Sequence, residues 1–211
     1  RMRLGQRARA LRGEDGQVRG VQTADESLTA DHVILATSAR ATVRLLRPHR
    51  AFGHLAEGIA RLAHRPITTV YLKYPPQVRL RSGMIGLTDS PVQWVVDRRH
   101  CGQAGLLGAV LGGRSTFEHP RATLGERVAG ELAARFPRWP DPEAIHTLRE
   151  ARATLFSGVG VARQRPGPKS GVEGCWIAGD FTDTGYPATL EGAVRSGVQC
   201  ARLILEQCAP A

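Results

Sequence analysis

Apolar positions come in short runs along most of this chain, and the spacing within each run predicts the element it forms. Residues 7–11, 17–23 and 32–37 read as three short strands, separated by the turn string Gly13-Glu14-Asp15-Gly16 and by residues 24–30. The third strand, in Asp31-His32-Val33-Ile34-Leu35-Ala36-Thr37, has an apolar run from Val33 that ends in small residues, as a buried strand would. Residues 39–47 and 52–63 have the spacing of short helices broken at Pro48. Three strand-like runs follow at 67–74, 92–97 and 106–111, and together they predict a mixed or antiparallel sheet. Leu124, Val128, Leu132 and Phe136 then recur at four-residue spacing, an amphipathic helix that Pro137 stops. Pro140 and Pro142 mark a crossing out of that region.

The last segment, 174–207, is the most informative. Cys175 to Ala178 is a short apolar run bounded by glycines, and Gly179-Asp180 ends it. In open parallel sheets ligands sit at the carboxyl ends of strands, where a carboxylate such as Asp180 can accept hydrogen bonds from hydroxyl groups. A helix follows, with Pro187 in its first turn and Leu190, Val194, Gly197, Ala201 and Ile204 as its expected buried face. Its free amino-terminal amides favour a negatively polarised ligand atom.

This tail resembles the carboxyl-terminal FAD signature of the flavin amine oxidase superfamily, carried here by Gly179, Asp180, Glu191, Gly192, Ala193, Ser196 and Gly197. The longer wording, A-G-D-x-T-x-T-G-x-P-A-T-x-E-G-A-V-x-S-G, is similar to the hydroxysqualene dehydroxylases, also called squalene-associated FAD-dependent desaturases, of hopanoid biosynthesis. Residues 66–72 and 93–98 also look like segments of that family, and 31–37 resembles the superfamily segment that closes the nucleotide domain. The resemblance implies an α/β fold with α+β mixing: part of an FAD-binding Rossmann-like domain at 1–47 and 145–211, and a substrate domain with a mixed or antiparallel sheet at 48–144. It implies FAD contacts at Ala36, Thr37, Gly179 and Asp180, with Asp180 on the ribityl chain, and at the helix-start amides of Ala188, Thr189 and Leu190. Tyr71 and Trp94 are expected to line an apolar substrate pocket, although ordinary sheet-face packing would also account for them.

Other features bound these expectations. A dinucleotide site of this kind needs a strand, a G-x-G-x-x-G turn and a helix, and the nearest string, Gly158-Val159-Gly160-Val161-Ala162-Arg163, ends in arginine. The chain is therefore expected to be the carboxyl-terminal portion of a longer enzyme. The formal net charge is +10, with 29 basic residues scattered rather than blocked and no aromatic-rich recognition motif between them, which argues against nucleic acid and leaves peripheral contact with a membrane surface open. Cys101, Cys175, Cys200 and Cys208 lack metal-ligand spacing and read as reduced cysteines of a cytoplasmic protein, with Cys175 and Cys200 in the core. The stretch 156–161, where some amine oxidases tether FAD through cysteine, has none, so non-covalent FAD is expected.

A flavin carries the redox step itself, which accounts for the lack of a catalytic dyad. Asp97 and His100 sit at a strand end where a solvated turn is the plainer account of them, and Glu191 reads as a helix-dipole partner. Two positions qualify the resemblance. Ala151 stands where the family often has a basic residue, and Thr189 stands where amine oxidases commonly place an aromatic wall. The implied activity is reductive dehydroxylation of the isoprenoid hydroxysqualene to squalene. The alternatives are another superfamily member, such as a carotenoid desaturase or amine oxidase, and a non-catalytic fragment unable to hold FAD alone.

Overall fold

The computed structural model describes residues 2–13, 16–113 and 121–208. The chain divides into two compact units, residues 1–63 with 155–211 and residues 64–154. The crossings fall at 63/64 and 154/155, against the expected 47/48 and 144/145. The difference at the first crossing has a physical reason: Phe52, Ala56 and Ile59 are buried in the same core as Leu45 and Leu46, so the second helix stays with the first.

In the first unit, β1 (Ala10–Arg12), β2 (Gly20–Gln22) and β3 (Ser27–Thr29) form an antiparallel meander. The strand β3 lies within 24–30, which the sequence marks as a turn. The turn expected at 13–16 falls partly outside the described residues, at 14 and 15. The strand β4 (Val33–Leu35) pairs in parallel with β10 (Cys175–Ile177). Helices α1 (Ala39–Leu46) and α2 (Gly53–Ala60) pack on this pair. Ser38 caps α1, its hydroxyl accepting the Ala41 N–H at 3.4 Å. Where the chain leaves for the second unit and returns from it, the Phe156 N–H donates to the Ala63 carbonyl at 2.8 Å.

The second unit is a five-stranded sheet in the order β6-β7-β8-β5-β9. Its strands are β5 (His64–Lys73), β6 (Met84–Gly86), β7 (Trp94–Asp97), β8 (Leu106–Gly112) and β9 (Ala144–Leu155). Strands β6, β7, β8 and β5 are antiparallel in turn. One face of β5, with Thr68, Val70 and Leu72, is buried, and Leu124, Val128 and Leu132 of α3 (Arg121–Arg135) join Val70 and Leu72 in one core. That core follows the predicted four-residue spacing.

The last helix, α4 (Leu190–Cys208), corrects an expectation. Leu190 is 89% exposed and Val194 62%, whereas Gly192, Ser196 and Cys200 are buried. The buried stripe is therefore made of small residues, because the helix lies close to β10, where Cys200 packs with Trp176 and Ala178 and donates its S–H to the Ile177 carbonyl at 3.1 Å. Pro187 precedes the helix rather than starting it.

Candidate cofactor site

Two parallel strand ends and one helix start build the site, all within the first unit. Parallel pairing of β4 with β10 brings Ala36 and Thr37 beside Gly179 and Asp180 at the carboxyl ends, and the Ala178 N–H donates to the Leu35 carbonyl at 3.2 Å. Gly179 has φ of +151°, and a Cβ there would fall 2.7 Å from the ring of buried Phe181. Only glycine leaves the backbone this close to its neighbours.

The strand end is tied directly to α4. The Gly179 N–H donates to the Ser196 hydroxyl at 2.8 Å, and that hydroxyl donates to the Ala193 carbonyl at 2.6 Å. Thr189 caps the helix, its hydroxyl accepting the Gly192 N–H at 3.2 Å. This leaves the first N–H groups of α4, at Leu190 and Glu191, with no intrahelical acceptor. Thr189 is exposed and Ala188 is half-buried against the core. The Asp180 carboxylate is half-buried and has no hydrogen-bond partner among the described residues, while Ala36 and Thr37 are exposed, Thr37 sharing a hydrogen bond with Thr42 at 2.9 Å.

Arg165 is a positioning residue that sequence reasoning missed. Its guanidinium donates to the Asp180 carbonyl at 2.8 Å and the Phe181 carbonyl at 3.4 Å, and also reaches the Tyr186 carbonyl. One planar fork thus fixes the loop between strand and helix. Among 27 arginines nothing in spacing singles it out. The loop is further held by Thr182, whose buried hydroxyl donates to the Gly179 carbonyl at 2.8 Å.

Small residues, an unpartnered carboxylate and free helix amides fit the ribityl and ring end of an FAD. Among the described residues, no glycine-rich turn joins a parallel strand to a helix to hold a pyrophosphate. The string 158–163 leads instead into a 3-10 turn, Val161–Gln164.

In the second unit Tyr71 and Trp94 lie on the same sheet face, opposite α3. Register places Tyr71 beside Gly108, and Trp94 beside Val110 and Gly86. Neither is fully buried, Trp94 being 47% exposed. Asp97 is a correction: it is 5% exposed, not solvated, and its carboxylate accepts the Leu80 N–H at 3.1 Å and the Arg99 N–H at 2.9 Å. It anchors a turn rather than offering a proton. His100 is exposed, and Ala151 is exposed on β9. Glu191 pairs with Arg195 at 2.7 Å across one turn of α4, and Arg195 stacks over the Tyr186 ring at 4.0 Å.

Burial pushes the Cys175 thiol up to about 11, against a lowering hydrogen bond from Ser170, and raises the Cys200 thiol. Both are core groups, as expected, while Cys101 and Cys208 are exposed. The described residues contain no cluster of ligands for a metal and no helix long and apolar enough to cross a membrane.

The model of the family described as flavin containing amine oxidoreductase matches residues 1–205. The chain belongs to that family. Two curated members of similar sequence are hydroxysqualene dehydroxylases. The protein from Rhodopseudomonas palustris is 29% identical over 97% of this chain and 46% of its own length. That from Sinorhizobium fredii is 28% identical over 78% of this chain and 39% of its own length. The chain thus spans less than half the length of the curated relatives it matches. A solved putrescine oxidase variant with redesigned cofactor binding superposes with a TM-score of 0.66, at 19% identity, over 96% of this chain and 48% of its own. That likeness confirms a mixed helix and sheet fold. The family is one of flavin-dependent oxidoreductases, as the tail motif implied, with FAD the cofactor.

Proposed function

We propose that this chain is the carboxyl-terminal portion of an FAD-dependent oxidoreductase that reductively removes the hydroxyl of hydroxysqualene to give squalene. The observation that carries it is the strand-end carboxylate of Asp180 beside a helix start locked to the same strand by Ser196. The sequence likeness to two hydroxysqualene dehydroxylases supports the substrate class.

In this reading, residues 1–63 with 155–211 hold the cofactor non-covalently, and residues 64–154 contact the lipophilic isoprenoid. When bound, FAD supplies the reducing electrons. The chain's own residues bind and orient: Asp180 accepts ribityl hydroxyls, the Leu190 and Glu191 amides face the polar edge of the ring system, and Ala36, Thr37 and Gly179 leave room beside the strands. Tyr71 and Trp94 give an apolar, aromatic sheet face suited to an isoprenoid and able to exclude water. In the same reading the protein is cytoplasmic, with peripheral contact at the inner face of the cell membrane, and the lipophilic class of the substrate supports that contact.

The deciding experiment offers the full-length parent hydroxysqualene with reduced FAD and, in parallel, an amine and phytoene with oxidised FAD as electron acceptor, with mass spectrometry of products. Squalene from the first alone is expected. Turnover of the amine or phytoene instead would overturn the substrate assignment. The 211-residue chain by itself is expected to lose FAD on gel filtration, and retained flavin absorbance would refute the need for a pyrophosphate site elsewhere.

A further inference from the structure

Of the cavities outside the groups invoked so far, one joins stacked aromatic rings to a cluster of arginines. It belongs to the second unit, encloses about 470 Å³, and is lined by residues 79–81, Ile85 and residues 135–139. Its floor is apolar. Phe136 and Trp139 stack at 4.0 Å with their planes 8° apart, and buried Tyr74 meets Trp139 edge-on at 5.6 Å. Leu80 is held in place by the Asp97 carboxylate, which accepts its N–H.

The rim is cationic: Arg79, Arg81, Arg135 and Arg138 all line the cavity. Arg135 is partly neutralised by Glu131 at 3.4 Å and also donates to the Thr88 carbonyl at 3.1 Å. Arg79, Arg81 and Arg138 make no ion pair among the described residues. Like charges gathered over an apolar floor favour an anionic partner, and guanidinium forks match phosphate oxygens. The volume is within the range of organic ligands of roughly 300–1,000 Å³ and too large for inorganic phosphate alone. Stacked aromatic rings beneath a charged rim are the arrangement that suits the boundary between headgroup and acyl chain.

We propose that this cavity seats the phosphate headgroup of an anionic lipid, with the adjoining carbons against Phe136 and Trp139, and so docks the chain on an anionic membrane surface. It stands on the second unit alone and does not depend on the reaction proposed above.

The test is co-sedimentation of the chain with phosphatidylglycerol-containing vesicles, with pure phosphatidylcholine vesicles as reference. Binding to the first alone is expected, weakening as salt rises. The variant R79Q/R81Q/R138Q is expected to lose on the order of 100-fold in partitioning, and R138Q alone about fivefold. The control R12Q/R40Q/R61Q removes the same charge from exposed positions of the first unit that line no cavity described for the chain, and should lose far less. Equal losses in the two triple variants would reduce the effect to net charge and overturn the proposal. Displacement from vesicles by submillimolar inorganic phosphate would overturn it too, by identifying a free-phosphate site. Circular dichroism of each variant verifies the fold, and R138Q carries the test if the triple variant unfolds.

Discussion

Two of the three sheets among the described residues are built on opposite terms. In residues 64–154, β7, β8 and β5 each have a neighbour on both sides, and Val70, Leu72, Val95 and Leu107 are fully buried. In the other unit, the parallel pair β4 and β10 has three residues per strand, and β4 has β10 as its sole described neighbour. Antiparallel strands can close a core through short local connections, whereas parallel strands are normally buried within larger sheets covered on both faces. Ile34 on β4 and Leu190, Val194 and Val198 on α4 are correspondingly exposed apolar groups. The second unit also exposes Met84, Trp94, Ile145 and Leu148, so the contrast lies in how the strands are paired: long antiparallel pairs over one enclosed core there, and a three-residue parallel pair in the unit with the cofactor motif.

The comparison breaks most visibly in amide exchange. Protection in β5 and β8 should exceed that in β4 and β10 by on the order of 100-fold or more, since local stability follows buried contact. Equal protection would show that the parallel pair needs nothing further. Next in size, Leu107→Ala should cost ~2–5 kcal/mol in urea unfolding, because the side chain is fully enclosed in the antiparallel core. A loss below ~1 kcal/mol would mean that core is loosely packed. For the cofactor unit, Asp180→Ala in the full-length parent should weaken FAD binding by ~1.5–3 kcal/mol, read by flavin fluorescence titration. Unchanged affinity would remove Asp180 from the site.

Alkaline pH probes both units. Cys175 is held neutral by burial, with its pKa pushed from 9.0 to about 11, and burial together with Asp141 raises Tyr74 above 10.0. Each is a neutral acid in the fold, so its contribution is fully present below the ordinary pKa and is lost as pH rises through the folded value. Stability of the first unit should fall between about pH 9 and 11, and thiol titration below pH 9 should find Cys101 and Cys208 reactive while Cys175 and Cys200 stay protected. Four equally reactive thiols would contradict the burial. The smallest effect is expected for Glu191→Gln, whose exposed partner Arg195 lies one turn away, and a large drop in melting temperature would give that pair an unexpected weight.

Local pattern carried much of this structure. Strands β5, β7 and β8 and helix α3 were legible because apolar runs and four-residue spacing report directly on burial, and the candidate site was legible because Gly179-Asp180 follows an apolar run. The failures share a cause in tertiary context. Eight of the twelve residues of β9 are Ala, Leu, Arg or Glu, which favour helix, and its place beside β5 overrides that preference. On α4 the large apolar residues suggested the buried face, but close approach to β10 selected Gly192, Ser196 and Cys200 instead. Arg165 was invisible because its partners are main-chain carbonyls, which leave no trace in side-chain spacing.

The hydrogen bond from Phe156 to Ala63 has a consequence for how such a protein is assembled and altered. Departure and return of the chain meet at one point, so the intervening residues form a cassette whose ends are already closed by the host unit. Exchanging that cassette for a relative's, or for a short linker, would leave the host's chain path nearly unchanged, since loop closure depends only weakly on the length enclosed. Specificity and cofactor grip could then diversify independently, with Ala63 and Phe156 as the natural splice sites.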